Sequence, residues 1–213
     1  MPHARESDAD RPRSPQSPES PIGPAPMIEV GRETLHTGKK FSFERVRVRS
    51  SRSGAEFSRE VVRHPGAVVI LPVLETPEGP RVVMIRNWRL SLGRAILELP
   101  AGTIERGEAP EACAPRELIE ETGFQARELR PLTSFLTTPG LTDELMHAFL
   151  ATDLSPVGQA MEVDESMTVE PVPIDGPGGV WDLIDRGEIA DAKTLLTLLW
   201  ARRRGLLTGG SVV

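Results

Sequence analysis

Residues 102–124, with the sequence GTIERGEAPEACAPRELIEETGF, constrain this 213-residue chain more than any other stretch. Glu117, Glu120 and Glu121 are spaced at i, i+3 and i+4, so a helix would carry their carboxylates on one face. Three like charges on one face repel each other, and a hard divalent cation would turn that repulsion into binding. Gly123 follows as a residue that tolerates the positive φ at a helix end. The stretch therefore predicts a helix with a magnesium site.

The fixed positions around these carboxylates make the prediction more specific, because an acidic helix face alone is usually only solvated. The defined residues of the stretch are Gly102, Glu108, Arg116, Glu117, Glu120, Glu121 and Gly123. In type and spacing they resemble the Nudix box of the Nudix hydrolases. The resemblance implies a loop–helix–loop that binds Mg²⁺, with Mn²⁺ as a substitute, and hydrolyses a nucleoside diphosphate linked to another group. It also implies an α+β fold, in which a mixed sheet is sandwiched between helices and preceded by a small antiparallel sheet.

Pro115 is the awkward position inside this stretch. Proline has no N–H, so a helix through this residue lacks the hydrogen bond to the carbonyl of Glu111. Either the helix is kinked at Pro115 or its regular part begins near it. The three carboxylates follow Pro115 in both cases, so we expect their geometry to survive.

Composition excludes several classes of protein. The net charge of −6 argues against a general nucleic-acid binder. The only cysteine, Cys113, cannot form an intramolecular disulfide, and we interpret it as a small helix residue rather than a nucleophile. The longest apolar run, residues 66–74, is too short to cross a bilayer, and the first residues lack the apolar part of a signal peptide. We expect a cytoplasmic protein that binds neither nucleic acid nor membrane.

The chain divides into three parts by sequence pattern. Residues 1–27 are rich in Pro and Ser and are expected to form a disordered tail. Residues 28–63 hold three predicted strands, at 33–36, 41–49 and 57–63. They resemble the N-terminal sheet of the ADP-ribose pyrophosphatase branch of Nudix enzymes, which implies a homodimer whose interface completes the substrate pocket. Residues 64–207 then form the Nudix hydrolase domain.

Hydrophobic patterns predict the elements of this third part. Residues 67–74 form a continuous apolar run, which predicts a strand buried on both faces. Further strands are predicted at 81–85, 132–136, 145–151 and 167–172, and helices at 180–185 and 191–204. Asp191 is the expected cap of the last helix. Its buried side is predicted to consist of Leu195, Leu196, Leu198, Leu199 and Trp200.

Four segments resemble the ADP-ribose branch in particular. They are Arg59 in the segment that leads to His64-Pro65-Gly66, the segment Arg86-Asn87-Trp88-Arg89, the approach Glu98-Leu-Pro-Ala-Gly102, and a loop whose Pro139 lies sixteen residues after Gly123. The resemblance implies that substrate is bound by Arg59, Arg89, Trp88, Gly102, Pro139, Leu141 and Glu144. The alternatives are a surface arginine at 59, core packing of Trp88 and an ordinary hairpin loop around Pro139.

The metal ligands and catalytic residues also follow from the resemblance. It implies a metal shell formed by the carbonyl of Ala101 with Glu117, Glu120, Glu121 and Glu165. It implies catalytic roles for Glu120, Glu121, Glu165, Glu162 and Arg116. Arg116 is expected to orient a glutamate of the box. Glu162 and Asp164 are the candidate general bases.

The expected reaction is the Mg²⁺-dependent hydrolysis of ADP-ribose to AMP and ribose 5-phosphate. Two alternatives stay open at this point. The substrate could be another nucleoside diphosphate sugar, such as GDP-mannose, or a dinucleoside polyphosphate. The chain could instead be a non-catalytic sensor of ADP-ribose, although a pure binder has no need to retain the carboxylates.

Overall fold

A computed structural model describes residues 26–158 and 167–207 and confirms the α+β fold class. The first three strands form an antiparallel sheet in the order β1-β2-β3. Their bounds are β1 Met27–Thr37, β2 Ser42–Ser50 and β3 Glu56–Arg63. Most of the predicted tail lies outside the described residues, and the dimerisation role of this sheet stays a prediction.

The second sheet has seven strands and is mixed. Its bounds are β4 Ala67–Leu74, β5 Arg81–Arg89, β6 Arg94–Glu98, β7 Ala101–Thr103, β8 Phe124–Leu136, β9 Leu145–Pro156 and β10 Met167–Pro173. The main order is β10-β5-β4-β9-β8, with β6 paired to β5 and β7 paired to β4. Strands β4 and β9 are parallel, and the other pairs are antiparallel.

Strand β4 lies at the centre of this sheet and is buried on both faces, as its apolar run predicts. On one face, Ile70 packs with Leu118 of helix α1 (Pro110–Thr122). On the other face, Leu71 belongs to the cluster that includes residues of α2 (Val180–Asp185) and α3 (Ala192–Arg203). The sheet is therefore sandwiched between helices. No helix in the described ranges is both long enough and apolar enough to cross a membrane.

Helix α1 runs through Pro115, so the expectation that its regular part begins near this residue is wrong. The helix begins at Pro110, whose missing N–H costs nothing in the first turn. The carbonyl of Ala109 accepts a hydrogen bond from the N–H of Cys113 at 3.0 Å, so the first turn forms ahead of Pro115. The helix ends at Gly123, which has a φ of 72°. Its carboxylates therefore follow the proline within one continuous helix.

The predicted buried face of helix α3 is partly confirmed, because Leu198 is fully buried and Leu195 and Trp200 pack against the core. Leu196 and Leu199 are 39% and 48% exposed, while the fully buried positions include Thr194 and Leu198. The buried stripe consists of Thr194, Thr197, Leu198 and Ala201, which are spaced at i, i+3, i+4 and i+7. The prediction rests on hydrophobicity and therefore includes Leu196 and Leu199. In the fold, smaller side chains take their place against the sheet.

The N-terminal sheet is fixed to the central domain by the loop between β8 and β9. Asp143 of this loop accepts hydrogen bonds from the backbone N–H of His64 at 2.9 Å and from Arg63 at 3.0 Å. The carbonyl of Leu141 accepts a hydrogen bond from the N–H of Val62, also at 2.9 Å. Burial opposes ionisation of Asp143, but these donors outweigh it and lower its pKa. The loop predicted to bind substrate thus joins the two sheets.

Candidate active site

A cavity of about 940 Å³ opens where β5, β7, α1 and α3 meet. Most of the predicted site residues line it, although they are spread over almost sixty positions of the sequence. Those that the structure brings together here are Trp88, Arg89, Ala101, Gly102, Arg116, Glu117, Glu120, Glu121 and Glu144. One part of the wall is formed by the carboxylates of α1, and another by Arg89 and the N-terminal turn of α3.

Arg116 is the cation of the carboxylate wall. Its Nη1 donates to Glu117 Oε1 and to Glu120 Oε2, both at 2.8 Å. Its Nε and Nη2 donate to the two oxygens of Glu108, both at 3.0 Å. One guanidinium therefore holds three carboxylates of the box, which is the geometry expected of an orienting residue.

The charges of this wall shift the pKa values of its members. Hydrogen bonding to Arg116 lowers the pKa of Glu108 to about 2. The same bond, with the charge of Glu117, raises the pKa of Arg116 above its ordinary value. Burial and the nearby charge of Glu117 raise the pKa of Cys113 to about 12. The thiol therefore stays protonated at neutral pH, which excludes Cys113 as a thiolate nucleophile.

Glu117 and Glu121 are held close to the backbone of β7, and both are largely buried. Glu121 Oε2 accepts a hydrogen bond from the N–H of Ala101 at 2.8 Å. A Cβ atom at Gly102 would lie 1.8 Å from the Cδ of Glu117, so only glycine leaves room for this carboxylate. Glu117 and Glu121 thus connect helix α1 to strand β7.

The donor set of this wall suits a hard divalent cation. Three carboxylates and the backbone at Ala101 line one cavity, and carboxylate and carbonyl oxygens are the ligands that Mg²⁺ prefers. The side chains are not gathered around one point, and no group of three acidic, His or Cys side chains arranged to hold a metal is found in the described part of the chain. Instead, Arg116 occupies Glu117 and Glu120. The residue types fit the metal, and binding would require Glu120 to exchange its guanidinium partner for the ion.

Trp88 and Glu144 lie on the rim of the cavity. Trp88 is 54% exposed, so the alternative that it packs in the core is wrong. Glu144 Oε2 accepts a hydrogen bond from the hydroxyl of Thr137 at 2.5 Å. An exposed indole beside the guanidinium of Arg89 offers a flat apolar surface to a ligand in the cavity.

Three predicted substrate residues lie outside this cavity. Arg59 is exposed on β3, where its guanidinium stacks over the ring of Phe57 at 4.6 Å. Pro139 and Leu141 lie on the exposed side of the loop between β8 and β9. Their contacts with substrate stay predictions. The predicted metal ligand and bases, Glu162, Asp164 and Glu165, lie outside the described residues.

Sequence patterns missed several residues of the site. Asp191 and Lys193 reach the cavity from the start of α3, far from the box in sequence. Lys40 lines this cavity and an adjoining one of about 700 Å³, where it is joined by Arg63 and His64. The signals available were weak, namely a helix cap followed by a lysine and a Gly-Lys-Lys turn between two strands.

Comparison with known proteins gives several similar sequences and folds. The chain is 41% identical over 155 residues to an ADP-ribose pyrophosphatase of Bacillus subtilis, covering 73% of this chain and 82% of that protein. It is 39% identical over 148 residues to an ADP-ribose pyrophosphatase of Mycobacterium tuberculosis, covering 68% and 70%. A methanol dehydrogenase activator of Bacillus methanolicus is 37% identical over 146 residues, covering 68% and 77%.

A solved structure of an ADP compounds hydrolase has the same fold. It superposes with a TM-score of 0.71 at 23% identity, and the alignment covers 84% of this chain and 93% of the other. The NUDIX domain family matches residues 63–193, which include the cavity wall, the box helix and Lys193. The chain therefore belongs to the Nudix family.

Proposed function

We propose that this protein hydrolyses the diphosphate linkage of ADP-ribose to AMP and ribose 5-phosphate in a reaction that depends on Mg²⁺. The observation that carries the proposal is that Glu117, Glu120 and Glu121 line the same cavity as Arg89 and Trp88. An acidic wall suits a divalent cation, and a cationic group with an exposed indole suits a nucleoside diphosphate.

Different residues of the chain would have different roles in this reaction. Arg89 would bind the anionic oxygens of the diphosphate, and Trp88 would stack on the base. Arg116 would keep the box glutamates aligned on one side of the cavity. Glu117, Glu120, Glu121 and the carbonyl of Ala101 would hold Mg²⁺, which would supply charge neutralisation at the phosphates and a more acidic water. Mn²⁺ offers the same chemistry with similar ligands.

The general base is proposed on chemical grounds. A carboxylate within reach of the attacking water would take its proton, and the glutamates of α1 are committed to Arg116 and the metal. Glu162, Asp164 and Glu165 precede β10 by a few positions in the sequence, and the first residue of β10, Met167, lines the cavity. We propose Glu165 as a further metal ligand and Glu162 or Asp164 as the base.

The choice of ADP-ribose is supported by the names of the similar proteins. Relatives in Bacillus subtilis and Mycobacterium tuberculosis are ADP-ribose pyrophosphatases, and residues 63–193 share their domain family. The methanol dehydrogenase activator among the relatives raises the alternative of a regulator that binds nucleotide. Retention of all three box carboxylates favours turnover.

Dimer formation and location are further parts of the proposal. Arg59, Pro139 and Leu141 lie outside the cavity of one chain, so a second chain is a source for their substrate contacts. The exposed apolar side chains of Phe41 and Leu141 provide surface for such an interface. We also propose that the reaction takes place in the cytoplasm, a reducing compartment that suits a chain with a single thiol. Light scattering at micromolar concentration tests the dimer, and a mass of one chain would contradict it.

The experiment that tests the function is a substrate panel. ADP-ribose, GDP-mannose and a dinucleoside polyphosphate are each incubated with the protein in Mg²⁺, in Mn²⁺ and in EDTA, and products are separated by chromatography. We expect AMP and ribose 5-phosphate from ADP-ribose in either metal and no product in EDTA. Tight binding of ADP-ribose without products in either metal would favour the regulator instead.

A further inference from the structure

Glu98 is a fully buried carboxylate that the proposed reaction does not use. Its residue exposure is 0%, and it ends β6 directly before the turn into the box. Arg89 Nη2 lies 2.7 Å from Oε1 of Glu98, and Lys193 Nζ lies 2.6 Å from Oε2. A buried carboxylate is costly unless its charge is paired, and here two cations from two different elements share it. An isolated structural carboxylate would need only one of them.

Lys193 connects this pair to the start of α3. Its Nζ also lies 2.9 Å from Oδ2 of Asp191, the N-cap of the helix. Asp191 accepts hydrogen bonds from the N–H and the hydroxyl of Thr194, and the Thr194 hydroxyl accepts one from the N–H of Leu99 at 2.9 Å. The first turn of α3 is thereby fixed to the segment that carries Glu98 into the box.

The charges of this network cancel, and Arg89 is its most exposed member. Two cations, Arg89 and Lys193, face two anions, Glu98 and Asp191. The side chains of Glu98 and Lys193 are 0% and 11% exposed, whereas that of Arg89 is 39% exposed. Burial opposes the charge of Arg89, but pairing with Glu98 outweighs it, so the pKa of the guanidinium is raised. Arg89 is thus held at Nη2 by Glu98, and the rest of its guanidinium is available to the cavity.

We infer that Glu98 and Lys193 are positioning residues that hold the Arg89 guanidinium in place for the substrate diphosphate. This inference rests on the proposed function, in which Arg89 binds that group. An arginine that is already fixed loses less conformational freedom when it binds an anion, so its binding free energy goes into the contact itself. Asp191 contributes by holding the Lys193 side chain in position beside Glu98.

The test begins with Glu98→Gln, which keeps the shape of the side chain and removes its charge. We expect kcat/KM for ADP-ribose to fall about tenfold to a hundredfold, the range for losing a hydrogen bond between charged groups. Glu170→Gln is the matched control, because Glu170 pairs with Arg86, three residues before Arg89 on the same strand, and lies outside the cavity. The control is expected to retain wild-type kcat/KM. Equal kcat/KM in wild type and Glu98→Gln would overturn the inference.

Two further comparisons separate positioning from simple structural support. In an Arg89→Ala background, Glu98→Gln should cost nothing more, because the residue that it positions is absent. A purely structural role predicts instead that the two losses multiply. Lys193→Met should also lower kcat/KM. Lys193→Arg, which keeps the positive charge, should retain most of the wild-type value. An unaltered kcat/KM in Lys193→Met, with intact fold by circular dichroism, would exclude Lys193 from the network's role.

A measurement without substrate keeps the inference independent of the proposed reaction. The Arg89 Nε–H order parameter, measured by NMR relaxation, should be high in wild type and Glu170→Gln and lower in Glu98→Gln and Lys193→Met. An Arg89 side chain that is equally ordered in all four proteins would contradict positioning. If Arg89 loses order as expected while wild type releases no AMP, then the proposed function fails and the positioning of Arg89 stands.

Discussion

Two ion-pair clusters line the same cavity, and they differ in balance. On the helix side, one guanidinium, that of Arg116, serves three carboxylates, Glu108, Glu117 and Glu120. In the second cluster, Arg89 and Lys193 are matched by Glu98 and Asp191. Each cluster has an exposed member, with Glu120 31% and Arg89 39% exposed, but only the second is built on a fully buried carboxylate, that of Glu98.

The difference indicates which cluster is suited to bind a cation and which one is suited to hold Arg89 in position. A cluster with excess negative charge is stabilised further by a cation, and its exposed member can change partners. A charge-balanced cluster gains less from a cation, and it loses much when one partner of its buried carboxylate is removed. We therefore propose that the acidic cluster binds the cation and that the other members of the balanced cluster hold Arg89 for the substrate. Four tests of this contrast follow, in decreasing order of expected effect.

The largest effect is expected from Glu121→Gln, at the position on α1 directly after Glu120 of the acidic cluster. Glutamine can still accept the hydrogen bond from Ala101, so the fold should persist while a metal-binding charge is lost. We expect kcat for AMP release from ADP-ribose to fall about a thousandfold, the upper range for removing one electrostatic contact from a reaction centre. A coupled assay of AMP, with the melting temperature as control, measures both. Wild-type turnover in this variant would refute the role of Glu121.

Gly102→Ala should impair the acidic cluster without unfolding it. The added methyl group would overlap the end of the Glu117 side chain, which is flexible and can move away. We expect kcat/KM to fall about tenfold to a hundredfold, as for other small displacements of groups in an active site. The melting temperature should hardly change. Gly140→Ala is the control, because nothing lies near a Cβ atom there. Equal activity of both variants would show that Glu117 tolerates displacement.

The third test concerns acid stability. The pKa of Glu108 is about 2 in the fold, against an ordinary 4.5, because Arg116 hydrogen-bonds its ionised form. Its contribution to the free energy of unfolding is therefore fully present above pH 4.5 and is lost as the pH falls from 4.5 towards 2. In Arg116→Gln the pKa of Glu108, followed by carboxyl NMR, should return towards 4.5. An unchanged low pKa in the variant would mean that other groups cause the shift.

The smallest effect is expected at the edge of the balanced cluster. Asp191→Ala removes the cap of α3 and should lower the free energy of unfolding by about 1 kcal/mol. Asp191→Asn keeps the acceptor for Thr194, so it should cost less than Asp191→Ala and should lose only the share that depends on the charge paired with Lys193. Urea denaturation of wild type and the two variants measures both shares. An Asp191→Asn variant as stable as wild type would show that the charge of Asp191 contributes nothing to stability.

The same contrast explains what could be predicted from the sequence. The acidic cluster lies within one helix and its approach, so residue spacing was sufficient to find Glu117, Glu120 and Glu121. The balanced cluster joins β5, β6 and α3, whose residues meet only after the sheet has formed. No local pattern connects Glu98 with Lys193, which lie 95 positions apart.

Strand lengths show the same limit. The buried strand β4 was predicted with the correct bounds, because an apolar run on both faces is a local signal. Strands β1 and β8 extend to Met27 and Phe124, well beyond the predicted segments 33–36 and 132–136. Their additional residues are mostly polar and partly exposed, and they are strands because a neighbouring strand pairs with them. Pairing partners of this kind cannot be predicted from alternation within one segment.

The central claim is that the acidic cluster binds a divalent cation, and calorimetric titration with Mn²⁺ tests it most directly. The titration compares wild type with the double variant Glu117→Gln and Glu120→Gln, using Glu170→Gln as a control that removes a carboxylate from outside the cavity. We predict saturable uptake of Mn²⁺ by wild type and by the control, and loss of that uptake in the double variant. Equal uptake by all three proteins, or none by wild type with AMP present, would contradict it.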